Sequence, residues 1–413
     1  MAERATIIGA GIVGICTAIS LLEKGFEVLL IDRDRPAEGA SHGNAGVISP
    51  GSCVPQSMPG TWRSIPKWLL DPEGPVALSW KYLPKFLPWA LRFFAAGNEE
   101  RVPAISDAMQ ALNRPNVDLY RQMLDGTGHE HLIVDSMYVH VFRNPVDADF
   151  KKLAWTLREE RGVPLELAEA HEIREIEPAL SPDFKAAVLM KGQARATDPR
   201  GVGKALAEKA NRMGAVFKRV GVHHIQPNPK EGWTIHTDDG ELQAETLVIA
   251  AGAWSARLLA PLGYSLPLEA ERGYHLVFTD PGVTLNNSIT DAEAKIAASS
   301  MAAGVRCAGT AEFAGLDAPP DYRRARVFKR LARNLIPHIK TDQSVEWMGS
   351  RPSFPDSLPC LGKIPGEVGL FCAFGHGHNG FMMAPNTGRV VAEVVAGALP
   401  NIDMEPYRVN RFR

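Results

Sequence analysis

Three glycines near the N-terminus, Gly9, Gly11 and Gly14, have the spacing of a turn that binds a dinucleotide pyrophosphate. A short apolar run ends at the first glycine, and apolar residues with helical spacing begin directly after the second. In such a turn the first glycine permits a tight bend, the second lets backbone approach the phosphates, and the third lets helix and strand pack closely. The N–H groups and positive dipole end of the helix would then face the phosphates.

A residue suited to binding a ribose follows this helix. Gly25 stands where the helix should end, and the apolar residues 26–31 predict a second strand that ends at Asp32. A carboxylate at that point accepts hydrogen bonds from ribose hydroxyls and repels a 2′-phosphate. The glycines, the helix and the acid therefore agree on a dinucleotide, and this motif by itself leaves both NAD and FAD open.

Arg351 is a candidate for binding a carboxylate, because a guanidinium can hold one through two parallel hydrogen bonds. It follows a predicted strand over residues 345–349 and precedes Pro352, which fixes the local backbone. An ordinary surface arginine is the alternative. Tyr274 is a candidate hydroxyl donor, and strand alternation places it on one face with Arg272 and away from Gly273. Alternatively, the Tyr274 ring only fills a packing position on the face of the sheet.

The glycine-histidine segment GHGHNG near the C-terminus holds His376 and His378. Either histidine could contact a cofactor or a substrate, or lie at the surface. No third residue with metal-ligand spacing accompanies them, so we predict no metal site.

Composition describes an ordinary globular protein of about two domains: 413 residues, 45% apolar and 22% charged. A formal net charge of -2 gives no reason to expect nucleic acid as a partner. The first strand begins by residue 5, which leaves no room for a signal peptide, and no run of about 18 apolar residues occurs. The scattered cysteines indicate reduced core residues in a cytoplasmic protein: Cys16, Cys53, Cys307, Cys360 and Cys372.

Segments typical of a nucleotide-binding fold recur in the middle and at the end of the chain. Asp198 and Pro199 predict the start of a helix to about residue 213, and a strand follows over residues 216–222. A buried strand over 246–250 leads into Gly252, and such strand ends meet at the ligand crevice of open α/β sheets. Residues 271–280 predict a strand and residues 321–336 a basic helix.

Residues 59–97 differ from the rest. Four of the eight tryptophans lie there together with several basic residues. The aromatic and basic residues suit either a bilayer surface or packing within a domain or an oligomer interface. The prolines of this segment predict that no long helix crosses it: Pro59, Pro66, Pro72, Pro75, Pro84 and Pro88.

Five ordered segments resemble the D-amino-acid oxidase superfamily of FAD-dependent oxidoreductases, and most of all its bacterial D-amino-acid dehydrogenases, including the hydroxy-D-proline type. They are GAGIVG with Asp32, GASHGNAG, TLVIAAGAWS, GSRPSFPDSLPCLG and GHGHNG. The resemblance runs from the N-terminus to about residue 396. It implies FAD held without a covalent bond, since Ser350 stands where some relatives carry the attaching cysteine.

The resemblance also implies an α/β fold, with a discontinuous Rossmann-type FAD-binding domain and an inserted α+β substrate domain built on an antiparallel sheet. The FAD-binding domain would comprise residues 1–59, 190–270 and 345–413, and the substrate domain residues 60–189 and 271–344. The residues that would contact FAD are Gly9, Gly11, Ile12, Gly14, Asp32, Arg33, Ser41, His42, Asn44, Gly46, Val222, Ala251, Gly252, Trp254, Gly375, Gly377, His378, Asn379 and Gly380.

The implied reaction is oxidative deamination of a D-amino acid, with D-proline or hydroxy-D-proline as candidates. A hydride would pass from Cα to flavin N5, and Arg351, Tyr274 and His376 would serve the substrate. Electrons would pass to a quinone, with residues 62–94 on the inner membrane face, or to another acceptor. A glycine or sarcosine oxidase using O2, an NAD-dependent dehydrogenase and a subunit that only holds FAD are the rivals, and the oligomeric state is left open.

Overall fold

The computed structural model describes residues 3–230 and 232–412. Its strands are, in chain order, β1 (Arg4–Ile8), β2 (Glu27–Asp32), β3 (Val47–Ile48), β4 (Val76–Leu78), β5 (Ile133–Phe142), β6 (Leu165–Glu169), β7 (Ala186–Ala196), β8 (Val216–Arg219), β9 (Val222–Asn228), β10 (Gly232–Thr237), β11 (Gly240–Ala244), β12 (Thr246–Ile249), β13 (Glu269–Phe278), β14 (Ser288–Asp291), β15 (Ile296–Met301), β16 (Gly304–Phe313), β17 (Ser344–Ser353), β18 (Cys360–Lys363) and β19 (Leu370–Phe374).

The α-helices are α1 (Ile12–Glu23), α2 (Ile65–Leu70), α3 (Leu83–Ala96), α4 (Val102–Asn113), α5 (Asn116–Leu124), α6 (Leu153–Glu160), α7 (Ala170–Ile176), α8 (Pro199–Arg212), α9 (Ser255–Leu259), α10 (Arg323–Arg326), α11 (Phe328–Leu335) and α12 (Gly380–Val395).

A six-stranded sheet, in the order β18-β19-β12-β1-β2-β8, carries the nucleotide-type segments. Its strands run parallel except β18, which lies antiparallel to β19. Strand β1 is buried from Ala5 onward because α1 and α12 cover one face of the sheet, where Ala5 and Ile7 pack, and β9 and β10 cover the other, where Ile8 packs. A parallel sheet covered on both faces is apolar on both. The sequence prediction of β1, α1 and β2 as one unit is confirmed.

The second sheet has the order β17-β13-β16-β15-β14-β5-β7-β3, with β4 on β16 and β6 on β7. Its pairings are antiparallel apart from β14 with β5 and β4 with β16. The predicted fold class, a discontinuous α/β unit with an inserted α+β unit on a largely antiparallel sheet, is therefore confirmed. The domain boundaries that we placed at residues 190 and 345 fall inside β7 and β17, which are both strands of this second sheet.

The single strand predicted over residues 216–222 is wrong. It is divided into β8, at the edge of the six-stranded sheet, and β9, in a separate antiparallel sheet with β10 and β11. The chain changes direction at Gly221, whose N–H donates to the Asp238 carboxylate and whose carbonyl accepts from the Asp238 N–H, both at 3.0 Å.

The prediction that prolines prevent a long helix in residues 59–97 is also wrong for one element. Helix α3 runs for 14 residues and passes through Pro88. The missing N–H costs a single hydrogen bond, and tertiary packing compensates for it. Trp89 is buried and stacks against Phe86 and Phe93, with ring centroids at 5.4 and 5.1 Å, and its Nε1 donates to the Ser353 carbonyl at 3.0 Å.

The basic helix predicted over residues 321–336 is broken into α10 and α11 at Val327. One face of α11 packs into the core of the second sheet through Phe328, Ala332 and Leu335. These residues follow the spacing expected of an amphipathic helix. The prediction of helical structure is therefore confirmed, but the prediction of one continuous helix is wrong.

Helices α1 and α12 pack closely enough for their backbones to meet. A methyl group added at Gly388 in α12 would lie 2.5 Å from the carbonyl carbon of Cys16 in α1 and 2.6 Å from its oxygen. This contact draws the segment before α12 toward the glycine turn before α1.

We expect Gly388→Ala to lower the free energy of unfolding by about 1–3 kcal/mol, because the added methyl meets backbone atoms that have little room to move. Denaturant unfolding of the apoprotein measures the change. Gly39→Ala is the control, since a methyl there would meet no heavy atom within 4 Å. Equal stability of the two variants would show that the helix contact is looser than described.

Candidate active site

A cavity of about 500 Å³ lies between the two large sheets. On one side it is lined by the residues that directly follow β1, β2, β12 and β19, which is the ligand-binding edge of an open parallel sheet. On the other side it is lined by Gly273 of β13, Ala308 of β16 and residues 349–352 of β17. The sequence prediction that the N-terminal glycine turn and the C-terminal histidine segment share one crevice is met.

The glycine turn has the geometry that a phosphate-binding loop needs. Gly9 has a φ of +117°, and a side chain there would overlap the Ala250 carbonyl. A side chain at Gly14 would overlap the Gly9 carbonyl, so this glycine sets the contact of helix and strand and does not line the cavity. Gly11 does line the cavity, and its Cα has open space on that side apart from the Ser41 hydroxyl.

Asp32 is fixed by two backbone donors at the end of β2. Its Oδ2 accepts from the Ala10 N–H at 2.7 Å and its Oδ1 from the Asp34 N–H at 3.0 Å. Burial raises the pKa of this carboxyl, and the two backbone hydrogen bonds oppose that shift. The carboxylate is thereby held in one orientation on the cavity wall, where it can accept from a ligand hydroxyl.

Arg33 and Trp254 close one side of the cavity, with the guanidinium carbon 3.9 Å from the centroid of the indole ring. Val222, Ala251 and Gly252 lie on the same wall. The guanidinium–indole contact and the apolar neighbours suit a flat aromatic group.

The loop of residues 39–46 is tied to both sheets. Ser41 Oγ accepts from the Ile12 N–H at 2.9 Å, which joins the loop to the start of α1. From the second sheet, Arg306 Nη1 donates to the carbonyls of His42 and Asn44. Asn44 lines the cavity, but His42 packs edge-on against Trp347 and Gly46 carries a φ of +77° beside β7, so neither of these reaches it.

The turn between β19 and α12 separates the two histidines. His376 is 2% exposed, and its Nε2 lies 3.0 Å from Thr387 Oγ1, so the ring is engaged by α12. Burial lowers the pKa of His376 to about 3, which leaves the imidazole neutral. His376, Gly377, His378 and Gly380 all line the cavity, whereas Gly375 and Asn379 are not part of its lining.

Arg351 lies inside β17, directly opposite Glu271 of β13, and not at the end of a strand as predicted. Its Nη1 donates to Glu271 Oε1 at 2.7 Å and to the Thr310 carbonyl at 3.1 Å. His378 Nε2 lies 2.8 Å from the same carboxylate oxygen. Burial raises the pKa of Glu271, but His378, Arg351 and the Ser353 hydroxyl outweigh it and bring the value to about 2.

Glu271 was missed at the sequence level, although a signal was present. Alternation along β13 separates Arg272 and Tyr274 from Gly273, and the same alternation assigns Glu271 to the face of Gly273. A side chain added at Gly273 would overlap the Arg351 guanidinium, so this face is the one that meets the cavity.

The Tyr274 hydroxyl makes its hydrogen bonds on the far side of the sheet. It donates to Glu312 Oε2 at 2.6 Å and accepts from the Asp321 N–H at 2.9 Å. Arg272 shares the same carboxylate, with Nη1 3.2 Å from Glu312 Oε2. Tyr274 contributes to the cavity wall, but its side chain belongs to the core beneath α11.

Trp347 forms part of the cavity wall that sequence reasoning did not find. Its indole stacks on His275, with centroids at 4.8 Å, and occupies the space beside Gly43 and Gly349. Extending the predicted strand through residue 353 would have placed Trp347, Gly349 and Arg351 on one face.

Comparison with known proteins agrees with this geometry. A family model described as FAD dependent oxidoreductase (DAO) matches residues 4–394, so the chain belongs to the DAO family of FAD-dependent oxidoreductases. A D-amino-acid oxidase of Bradyrhizobium diazoefficiens is 37% identical over 417 residues, covering 99% of each chain. A D-amino acid dehydrogenase of Allorhizobium ampelinum is 29% identical over 427 residues, covering 99% of this chain and 98% of the relative.

Solved structures share the fold. Glycine oxidase from Geobacillus kaustophilus superposes with a TM-score of 0.75 at 24% identity and 99% coverage of both chains. L-proline dehydrogenase from P. horikoshii superposes with a TM-score of 0.76 at 21% identity, covering 100% of this chain and 98% of the other. The family predicted from the five motifs, and with it the enzyme class and the cofactor FAD, are therefore confirmed.

The residues present fit FAD. Gly9, Gly11 and the start of α1 form a cradle without side chains where a pyrophosphate would lie, and Asp32 supplies a fixed acceptor for a ribose. Cys360 lies outside the cavity lining and its sulfur is 3.0 Å from Arg411 Nη1, which agrees with the expectation of FAD held without a covalent bond.

We expect Gly11→Ala to weaken FAD binding about 10- to 100-fold, because the methyl enters the space of the phosphates while the apoprotein keeps its packing. Gly14→Ala should instead lower apoprotein stability by about 1–3 kcal/mol, because its methyl overlaps the Gly9 carbonyl. Flavin fluorescence titration and denaturant unfolding measure the two effects. Similar losses in both measurements for both variants would contradict this division of roles.

Proposed function

We propose that the protein oxidises D-amino acids, with D-proline and hydroxy-D-proline as the first candidates. The observation that carries the proposal is the Arg351 guanidinium, which lies on the cavity wall and has N–H groups left for a ligand. Both N–H groups of Nη1 have partners, whereas Nη2 has no hydrogen-bond partner within residues 3–230 and 232–412. A planar donor of this kind suits the carboxylate that all amino acids carry. The relatives named as D-amino-acid oxidase and dehydrogenase support the same substrate class.

The protein's own residues would orient the substrate and exclude water. Arg351 would hold the carboxylate, and the packed walls formed by Trp347 and Ala308 would limit the positions open to the rest of the molecule. FAD, when bound, supplies the acceptor for the hydride that leaves Cα. Because His376 is neutral and engaged by Thr387, we assign it to holding the turn before α12 and not to proton transfer.

The first test is anaerobic reduction of the flavin by a panel of amino acids of both configurations. Bleaching by D-enantiomers supports the proposal, and D-proline and hydroxy-D-proline belong in the panel. Bleaching by glycine or sarcosine alone would favour the oxidase alternative. A protein that holds FAD and is reduced by none of these compounds would be a flavin-holding subunit.

We expect Arg351→Ala to retain FAD and to weaken substrate binding by about 2–5 kcal/mol, as for truncation of one partner of a buried charge pair. The concentration dependence of anaerobic flavin reduction measures this loss. Arg326→Ala is the control, because this arginine is exposed and paired with Glu346 at the far end of β17. Unchanged substrate affinity in Arg351→Ala would remove Arg351 from the substrate site.

We further propose a lipid-soluble quinone as the electron acceptor, reached at a bilayer surface. Helix α3 is apolar on two sides: Trp89 packs inward, while Leu87 and Leu91 are 49% and 61% exposed. Trp62 and Trp80 in the same segment are 59% and 75% exposed, and lysines and arginines stand among these residues in the sequence. Aromatic, apolar and basic residues together suit the interface of an anionic membrane. No helix in the described part of the chain is long and apolar enough to cross a bilayer.

Replacing Leu87 and Leu91 by serine should weaken binding to phosphatidylglycerol-containing vesicles about tenfold, since the apolar contact is lost. Co-sedimentation measures the binding, and reduction of a quinone analogue in the vesicles should fall with it while anaerobic bleaching stays unchanged. Leu399→Ser is the control, because Leu399 is 96% exposed outside this segment. Hydrogen peroxide release without quinone reduction would identify O2 as the acceptor.

A further inference from the structure

Within the described residues, the Glu271 carboxylate is the acidic group that contacts both Arg351 and His378. It is only 6% exposed on its side chain, and it accepts from Arg351 Nη1 at 2.7 Å and from Ser353 Oγ at 3.0 Å. His378 shares the same oxygen at 2.8 Å. A buried carboxylate carries a desolvation cost, so three polar partners are what keep it ionised here.

This arrangement changes what the substrate cavity offers to a carboxylate. The positive charge of Arg351 is already matched by Glu271 at hydrogen-bond distance, so a ligand that is only an anion meets a neutralised pair. An α-amino acid also carries an ammonium group beside its carboxylate. That second charge is attracted by Glu271 while the carboxylate is attracted by Nη2 of Arg351.

His378 is held beside this pair. Its side chain is 34% exposed on the cavity wall, and its Nε2 lies 2.8 Å from Glu271 Oε1. The Glu271 carboxylate therefore fixes the positions of both Arg351 and His378, two polar groups that this part of the wall presents to a ligand.

We infer that Glu271 is a specificity-determining residue, which makes the cavity prefer zwitterionic amino acids to carboxylic acids that lack the amino group. The inference rests on the proposed function, because it takes Arg351 as the carboxylate-binding group. It assigns Glu271 a positioning and charge-balancing role, with no transfer of a proton or a bond.

Two probes of nearly identical shape test the inference: D-proline and (R)-tetrahydro-2-furoate, which has an ether oxygen in place of the amino group. Affinity for each is read on the FAD-loaded protein from the change in flavin absorbance or, where the probe reduces the flavin, from the concentration dependence of anaerobic reduction. The wild-type protein should bind D-proline more tightly than the furoate. A wild-type protein that prefers the furoate overturns the inference, whether or not any variant folds.

Glu271→Gln keeps the shape and removes one negative charge, whichever protonation state His378 takes. We expect the affinity for the furoate to rise about tenfold and the affinity for D-proline to fall about tenfold. Changes of opposite sign in the two affinities distinguish a charge effect from local damage to the site, because damage would weaken the binding of both probes. Glu271→Asp keeps the charge and should keep the wild-type preference.

Glu312→Gln is the matched control, because Glu312 in β16 is also a largely buried partner of an arginine but contacts Arg272 and Tyr274 on the other face of the sheet. The ratio of the two affinities should stay at the wild-type value. A parallel weakening of both probes in Glu271→Gln, or an unchanged ratio, would overturn the inference. Binding of D-proline without flavin reduction would count against the proposed function alone, since the comparison of affinities needs no turnover.

Discussion

Close contact between backbones, which only glycine permits, is the constraint on which the site depends. Gly9 lies against the Ala250 carbonyl, Gly14 against the Gly9 carbonyl, and Gly388 against the backbone of Cys16. These contacts bring the starts of α1 and α12 to one edge of the parallel sheet. Two helix N-termini therefore face one cavity, and their positive dipole ends favour the negative charge of phosphates and of a reduced ring system.

Burial sets the charge of several groups in and around the cavity wall. Desolvation lowers the pKa of His275 and of His376 to about 3, so both rings are neutral and serve as packing and hydrogen-bonding groups. Desolvation also lowers the pKa of Arg306 to about 10, which still leaves it charged, and it donates to the loop carbonyls of His42 and Asn44. Glu271 and Arg351 form an ion pair at 2.7 Å, and Arg351 lines the cavity.

The sequence was sufficient for the parts of the fold that depend on local pattern. The glycine turn, α1, β2 and α8 lie where periodicity and capping residues predicted them, because these signals act within a few residues. The errors came from tertiary structure. Helix α3 tolerates Pro88 because Trp89 is held by a distant strand, and residues 216–222 divide because two sheets compete for them.

The same distinction applies to the site. Motif residues such as Gly11, Asp32 and Arg351 were found because each belongs to a recognisable segment, and the cavity brings them together. Glu271 and Trp347 belong to no such motif, and their importance appears only when β13 and β17 pair in register. The Tyr274 hydroxyl was misjudged in the same way, since its partner Glu312 is a neighbour across the sheet and not along the chain.

The order of strands in the parallel sheet has a consequence for biosynthesis. Strand β12 lies between β1 and β19, but β12 ends at residue 249 and β19 begins only at residue 370. While the ribosome makes the intervening segment, one side of β12 has no partner strand, and unpaired edges of this kind attract other chains. A nascent chain stalled in that interval would be a natural client for a chaperone.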